Sequence, residues 1–219
     1  MELAGIDFSR IIYLTQRVRP AGQVYVPDAV QKLAQRYSFA KLPSVEELTR
    51  LPLTLSLGKF KDVQIDEFQI YNDGIIVSAK ANTEILDAFI SDLLSWSERE
   101  LGLVDAPTAK PEKIIESAII VKSVKDLALS LSPRNDVAEI LNRTFRGELV
   151  GVGPYQLSGF FLDCDPLQFT ARRKPMRFAL ERRLGVPFTE NVFYSQAPLH
   201  TGDHLKVLSD LEALPTRRV

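Results

Sequence analysis

The fold is decided by residues 53–102, which read LTLSLGKFKDVQIDEFQIYNDGIIVSAKANTEILDAFISDLLSWSERELG. From residue 53 to about residue 81, apolar and polar side chains alternate, which is the period of a strand with one buried face. From residue 83 to about residue 101, apolar side chains recur at intervals of three and four, which is the period of an amphipathic helix. We therefore predict an α+β fold, with an antiparallel β-meander over about 53–81 covered by a helix over about 83–101.

Two local signals divide the meander into strands. Asn72-Asp73-Gly74 predicts a tight hairpin, because glycine adopts positive φ angles without steric cost. A β-bulge is predicted near Asp66-Glu67, since Ile65 before it and Phe68 after it would otherwise face opposite sides of the sheet.

The ends of the covering helix carry their own signals. We expect Asn82 or Thr83 at its N-cap and Gly102 in the left-handed position that follows its last turn. Trp96 lies on its apolar stripe, which favours a place in the core or an interface over a role as a ligand platform.

The rest of the chain predicts a second mixed α/β lobe. Residues 103–111 contain two prolines among small residues and are a possible linker, which gives lobes of residues 1–104 and 110–219 within a single domain. A capping box at Ser44–Glu47 and a helix after Pro27 are predicted before the meander. Ser132-Pro133 predicts the entry to another helix, whose apolar stripe is Val137, Ile140, Leu141 and Phe145. Strand followed by helix recurs in both halves, without a sequence repeat.

Composition indicates a globular protein that binds neither membranes nor polyanions through its overall charge. The formal net charge is −1, and 45% of the residues are hydrophobic while 25% are charged. Cys164 is the single cysteine, which excludes an internal disulfide and zinc sites built on several thiolates. With no signal peptide evident and no apolar run of about 20 residues, we expect a soluble, cytoplasmic protein.

Both histidines fall in the motif His200-Thr-Gly-Asp203-His204. Imidazole and carboxylate groups are ligands of divalent metals, so His200, Asp203 and His204 are candidate metal ligands. Thr201 is nevertheless a good N-cap, which would leave His200 outside the helix that contains His204. We therefore expect a capped helix start, and no metal or other cofactor.

Asp163-Cys164-Asp165 is the main candidate for catalysis. The pair of aspartates resembles the opening motif of haloacid-dehalogenase-type phosphotransferases, in which the first aspartate attacks and the second acts as an acid. It is also similar to the metal-binding Asp-x-Asp of many glycosyltransferases. The first family requires a long alternating α/β chain after the motif, and the chain that follows Asp165 is short. We therefore favour the interpretation that the two aspartates end a strand and solvate a turn. Cys164 is a candidate nucleophile, but we prefer to interpret it as a buried structural residue.

A basic segment offers a candidate binding surface. Six cations lie within about a dozen residues and are interleaved with aromatic side chains: Arg172, Arg173, Lys174, Arg177, Arg182 and Arg183. Cations neutralise phosphates and aromatic rings stack on bases, so this segment is a candidate for nucleic-acid binding or for contact with an acidic protein.

These observations favour a non-catalytic interaction or assembly protein, an adaptor or a subunit of a larger complex that binds a protein partner or associates with itself. The alternative is a nucleic-acid-binding protein that uses residues 172–183. A metal- or acid-dependent hydrolase is the third hypothesis. The sequence contains neither a Gly-x-Ser-x-Gly elbow nor a phosphate-binding loop, which weighs against familiar hydrolases and nucleotide kinases.

Overall fold

The structure, a computed structural model, describes residues 1–20, 22–107, 110–131, 136–144, 154–165, 167 and 174–215. It confirms the α+β class, with an antiparallel sheet of eight strands in the order β3-β4-β5-β1-β7-β10-β9-β8. The strands of this sheet are β1 (Glu2–Leu14), β3 (Leu53–Phe60), β4 (Val63–Tyr71), β5 (Gly74–Ala79), β7 (Glu112–Lys122), β8 (Gly159–Leu162), β9 (Phe178–Arg182) and β10 (Val192–Ala197). A separate ribbon pairs β2 (Arg17–Val18) with β6 (Val104–Asp105).

Five α-helices are described alongside these strands. They are α1 (Val26–Tyr37), α2 (Thr83–Leu101), α3 (Leu127–Leu131), α4 (Asp136–Thr144) and α5 (Thr201–Ala213). Within the described ranges, none of these helices combines the length and the apolar composition that crossing a lipid bilayer requires.

The predicted meander and its helix are confirmed. β3, β4 and β5 pair in succession, and the turn between β4 and β5 pairs Tyr71 with Gly74. Gly74 is required for a reason other than the turn itself, because a Cβ atom at this position would lie 2.4 Å from the carbonyl oxygen of Tyr13 on β1. Gly102 follows α2 with a φ of 66°, in the left-handed conformation that was predicted.

The phase change within the meander takes a different form from the predicted bulge. Ile65 and Phe68 are both buried in the same core although they have opposite parity. The pairing register of β3 and β4 is the same before and after this point. Leu57 on β3 and Asp66 on β4 lie between the pairs Ser56↔Glu67 and Gly58↔Ile65. Leu57 adopts a φ of 56°, so both strands change phase together instead of two residues opposing one.

Residues 11–14, whose apolar pattern fits either a helix or a strand, lie in β1. This strand pairs with β5, matching Ser9 with Ala79 and Leu14 with Gly74. Ile11 is fully buried and Leu14 is 3% exposed. The N-terminal strand therefore extends the meander.

The chain divides into two compact units whose boundaries differ from those of the predicted lobes. The linker at residues 103–111 stays a prediction. One unit contains residues 1–5, 118–197 and 202–219, and we call it unit 1. The other, unit 2, contains residues 6–117 and 198–201. The first two boundaries fall inside β1 and β7, and the other two enclose residues 198–201. Each unit is therefore built from segments that are distant in sequence.

Unit 2 has a core between its strands and the helices α1 and α2. Aromatic rings fill much of it, and the Tyr37 ring packs 4.8 Å from the ring of Phe89. The Tyr37 hydroxyl donates to the Asp92 carboxylate at 2.7 Å, and Arg36 donates to the same carboxylate. Burial, followed by the hydrogen bond to Asp92, raises the pKa of Tyr37. Tyr37 thus joins the core to an ion pair at the surface.

A topological repeat underlies the sheet. In the first half, β1 is followed by helix α1, the three strands β3 to β5 and helix α2. In the second half, β7 is followed by helices α3 and α4, the strands β8 to β10 and helix α5. In each half the first strand neighbours the last strand of the three. The recurrence of strand and helix noted in the sequence is this repeat.

The first residues of the two equivalent helices, α2 and α5, exchange hydrogen bonds. The backbone N–H of Thr83 donates to the Thr201 hydroxyl at 3.1 Å, and the N–H of Thr201 donates to the Thr83 hydroxyl at 2.9 Å. Both threonines are buried, at 0% and 2% exposure. Asn82 is the N-cap residue of α2, one of the two predicted positions, but its side chain makes no capping bond. The Thr201 hydroxyl accepts the N–H of Thr83 instead.

Candidate interaction surfaces

The helix α4 of unit 1 presents an apolar face to solvent. Val137, Ile140 and Leu141 are 70%, 56% and 38% exposed, whereas Ala138 on the same helix is 9% exposed. These three side chains are the predicted apolar stripe of this helix, and they lie together because residues three and four apart share a helix face. Phe145 and the predicted entry at Ser132-Pro133 lie outside the described residues. The sequence identified the stripe but not its exposure, since amphipathic periodicity is the same for a buried face and for a binding face.

The segment that leads to β8 is tied to this helix. The amide of Asn142 on α4 donates to the Tyr155 carbonyl at 2.9 Å, and the Tyr155 N–H donates back to the Asn142 side-chain oxygen at 2.6 Å. This two-way bond holds the backbone of Tyr155, which is 44% exposed, at the end of α4. We call the apolar face of the helix, made of Val137, Ile140 and Leu141, the α4 surface.

The basic segment does not form one uniform surface. Lys174 is exposed and its ammonium lies 2.6 Å from the Asp163 carboxylate, while Arg183 is exposed. Arg182 is buried in unit 1, with its side chain 2% exposed, and it pairs with the Asp126 carboxylate. Its guanidinium also donates to the carbonyls of Leu157 and Phe188. Arg182 therefore stabilises the fold of unit 1; Arg172 and Arg173 lie outside the described residues.

Arg177 makes the most distinctive contact of the segment. Its guanidinium carbon lies 3.9 Å from the centre of the Phe161 ring, which is the geometry of a cation–π contact. Phe161 is 49% exposed on β8, the last strand of the sheet order. The pair offers a flat cationic and aromatic platform at a sheet edge.

The candidate catalytic residues Asp163, Cys164 and Asp165 lie on the surface beyond the end of β8. The hydrogen bond from Lys174 lowers the pKa of Asp163, and its other oxygen accepts the Cys164 N–H at 2.9 Å. Asp165 accepts the Leu167 N–H at 2.9 Å, so each carboxylate accepts a backbone N–H of the segment that follows β8. Cys164 is exposed, which corrects the preference for a buried cysteine, because the strand ends two residues before it.

The two histidines have different surroundings. In unit 2, the His200 ring bonds to the Thr83 hydroxyl at 3.2 Å and lies 3.4 Å from the Asp87 carboxylate. In unit 1, His204 is fully buried, and burial lowers its pKa to about 4. Asp203 is exposed on the first turn of α5. Among the residues that the structure describes, no three His, Cys, Asp or Glu side chains are grouped so that they could hold a metal ion.

His204 forms a buried hydrogen bond with Ser195. The Ser195 hydroxyl donates its one proton to the Ala179 carbonyl at 2.8 Å. The same oxygen lies 2.8 Å from the Nε2 atom of His204, so it accepts a hydrogen bond from Nε2–H.

The sheet face of unit 2 opposite the helices carries a polar row. Cross-strand partners place Ser56, Glu67, Ser78 and Arg10 side by side on β3, β4, β5 and β1. Arg10 continues the row by pairing with Glu116 on β7 at 3.2 Å. The row thus contains the carboxylates of Glu67 and Glu116 and a single guanidinium, that of Arg10. This excess of negative charge does not favour the binding of phosphate groups.

Comparisons with known proteins do not assign the chain to a family. No protein-family model matches the sequence, and no curated protein matches it. Among solved structures, the Methanococcus jannaschii TBP is similar to it at a TM-score of 0.39 and 12% sequence identity, over 96% of this chain and 97% of the TBP chain. A similarity of this size is too low to assign a family or a function.

Proposed function

We propose that this chain is a non-catalytic assembly protein that associates with a second copy of itself through the α4 surface. The exposure of Val137, Ile140 and Leu141 on one helix face is the observation that supports this proposal. Burial of apolar area contributes roughly 25 cal/mol per Å² to association, so a contiguous apolar helix face is a natural contact.

A second copy of the chain carries the same apolar face, so two copies can pack Val137, Ile140 and Leu141 against each other across a two-fold axis. Glu139 and Arg143 are exposed on the other side of α4, so neither charge is buried by this contact.

The test is the native mass of the protein at a series of concentrations, measured by light scattering after gel filtration. We expect the wild-type protein to reach twice the mass of one chain, and Leu141→Glu to remain at the mass of one chain. Leu184→Glu is the matched control, since Leu184 is 98% exposed outside α4, and it should behave as wild type.

Thermal unfolding of both variants verifies that each is folded. A wild-type protein that stays at the mass of one chain at every concentration would reject self-association. A dimer that Leu141→Glu leaves intact would place the interface elsewhere.

Nucleic-acid binding is the second candidate, and the contact between Arg177 and Phe161 is the observation that favours it. An exposed aromatic ring with a stacked guanidinium can hold the base and the phosphate of a single strand. The paired state of Lys174 and the burial of Arg182 reduce the cations available to such a strand. This candidate is therefore second to assembly.

Fluorescence polarisation with a labelled single-stranded oligonucleotide, at several salt concentrations, separates the two candidates. If nucleic acid is the ligand, wild type binds with an affinity that falls steeply as salt rises, and Arg177→Glu shows a shallower dependence. Arg50→Glu, a charge reversal at an exposed position in unit 2, is the control that should not change binding. On the assembly proposal, all three proteins show negligible binding.

A further inference from the structure

Unit 2 contains a cavity of about 230 Å³ between its sheet and its two helices. Apolar side chains from α1, α2 and the β4–β5 hairpin form most of its wall, among them Leu33, Leu94 and Ile75. A cavity of about 150 Å³ lined by such side chains binds benzene, and native interiors rarely keep voids larger than one water molecule. The space is therefore large enough for an organic ligand of about nine or ten non-hydrogen atoms.

The cavity can be reached from solvent on one side. Val24, Ile75, Leu94 and Leu103 are only partly buried where they pack against the core, and all four line the cavity. Fully buried residues such as Phe68 form its inner wall. A ligand could enter between the partly buried residues without unfolding the core.

One cation lines this apolar space. The Nη1 atom of Arg17 donates to the Leu94 carbonyl and to the Ser97 hydroxyl, both at 3.0 Å, and Nη2 donates to the Leu103 carbonyl. These bonds fix the guanidinium at the C-terminal half of α2. Its Nε atom is buried and has no hydrogen-bond partner.

The nearest anion to this donor does not satisfy it. The Asp105 carboxylate lies 3.6 Å from Nε of Arg17, which is beyond hydrogen-bond distance, and it accepts from the Thr15 hydroxyl at 3.0 Å instead. A buried N–H without an acceptor is costly, and a hydrogen bond from a cation to a carboxylate is among the strongest available. The wall thus includes the guanidinium of Arg17, which has one N–H donor without an acceptor and an ion-pair partner, Asp105, at 3.6 Å.

We propose that unit 2 binds a small carboxylic acid with an apolar body, a medium-chain or aromatic acid, with the body in the cavity and the carboxylate on Arg17. The apolar wall selects the body and the guanidinium of Arg17 selects the acid group. This ligand site is independent of the α4 surface, which belongs to unit 1.

Trp96 gives the proposal a direct readout. It is the single tryptophan of the chain and lines the cavity, so its fluorescence reports on this site alone. The probes are sodium octanoate and 1-octanol, which share an apolar chain and differ in the acid group. We expect octanoate to produce a saturable change in Trp96 emission and to raise the melting temperature, and octanol to bind at least tenfold more weakly.

Two valine variants identify the site. Val24→Phe fills the cavity from its partly buried rim and should weaken octanoate binding at least tenfold, whereas Val45→Phe changes a valine that is 82% exposed and should leave it unchanged. If Val24→Phe does not fold, the comparison of octanoate with octanol on the wild-type protein still tests whether the site selects the acid group. No saturable change with octanoate overturns the proposal, and so does equal binding of octanol and octanoate. Wild-type affinity in a folded Val24→Phe variant overturns it as well.

Discussion

His204 shows what one buried side chain does to the stability of unit 1. Its ring is enclosed and holds a proton on Nε2 through the bond to Ser195. Burial lowers its pKa from 6.5 to about 4, because the charged imidazolium loses its hydration in this site. The folded protein thus resists protonation at a pH where the unfolded chain accepts a proton.

This difference predicts a loss of stability in acid. Above pH 6.5 the ring is neutral in both states; as the pH falls from 6.5 towards 4, the unfolded state takes up the proton first and the free energy of unfolding decreases. The shift from 6.5 to about 4 corresponds to a loss of about 3 kcal/mol. Urea unfolding at a series of pH values measures it. His204→Gln should remove this part of the pH dependence and His200→Gln should retain it; equal slopes in wild type and His204→Gln would contradict the assignment.

Neighbouring arginines in the basic segment should differ sharply in their effect on stability. Arg182 is buried with Asp126, whereas Arg183 is exposed. We expect Arg182→Met to lower the free energy of unfolding by about 2–4 kcal/mol, because it leaves Asp126 and two carbonyls without their donor. Arg183→Met should change it by less than about 0.5 kcal/mol. Denaturant unfolding compares the two, and similar values would show that Arg182 is not a structural residue.

At the scale of elements, the parts that the sequence predicted well are those whose stabilising contacts are local. The Ser44–Glu47 capping box forms as expected, with the Ser44 N–H donating to Glu47 at 2.7 Å, and the hairpin and α2 have nearly the predicted bounds. The sequence did not identify β1 as a strand, because its partners β5 and β7 are far away along the chain. The exposure of the apolar stripe of α4 and the burial of Arg182 were equally beyond reach, since periodicity and charge do not reveal which face is covered.

The hairpin offers a test of close packing between elements. Gly74→Ala places a Cβ atom 2.4 Å from the Tyr13 carbonyl oxygen, so β5 and β1 must separate or the backbone must become strained. We expect the free energy of unfolding to fall by about 1–3 kcal/mol. Gly5→Ala is the control, because its Cβ would lie 3.8 Å from Ile120, an ordinary contact. Equal thermal midpoints for the two variants would argue against this packing.

At the scale of the whole molecule, the two compact units are each assembled from distant segments. Unit 2 takes residues 112–117 from β7 and residues 198–201 from near the end of the chain. Within it, Lys113 pairs with Asp87 at 2.7 Å, and Thr201 supplies the hydrogen bonds to Thr83. A boundary drawn at the predicted linker, residues 103–111, would remove these contacts.

We therefore expect a fragment of residues 1–109 to fold poorly. It retains the meander, α1 and α2 but loses the neighbour of β1 in the sheet and the partners of Thr83 and Asp87, which leaves an exposed strand edge. Urea unfolding followed by circular dichroism should show no cooperative transition. A transition as sharp and as stable as that of the full chain would instead establish residues 1–109 as an independent domain.

The exchange of hydrogen bonds between Thr83 and Thr201 has a consequence for biosynthesis. The two residues are separated by 118 positions, so during translation α2 is complete long before Thr201 leaves the ribosome. Until then, the N-terminus of α2 lacks its partner and unit 2 lacks its last segment, which exposes the nascent chain to aggregation and to chaperones. Closure of unit 2 must therefore follow the synthesis of Thr201, long after the meander and α2 have been made.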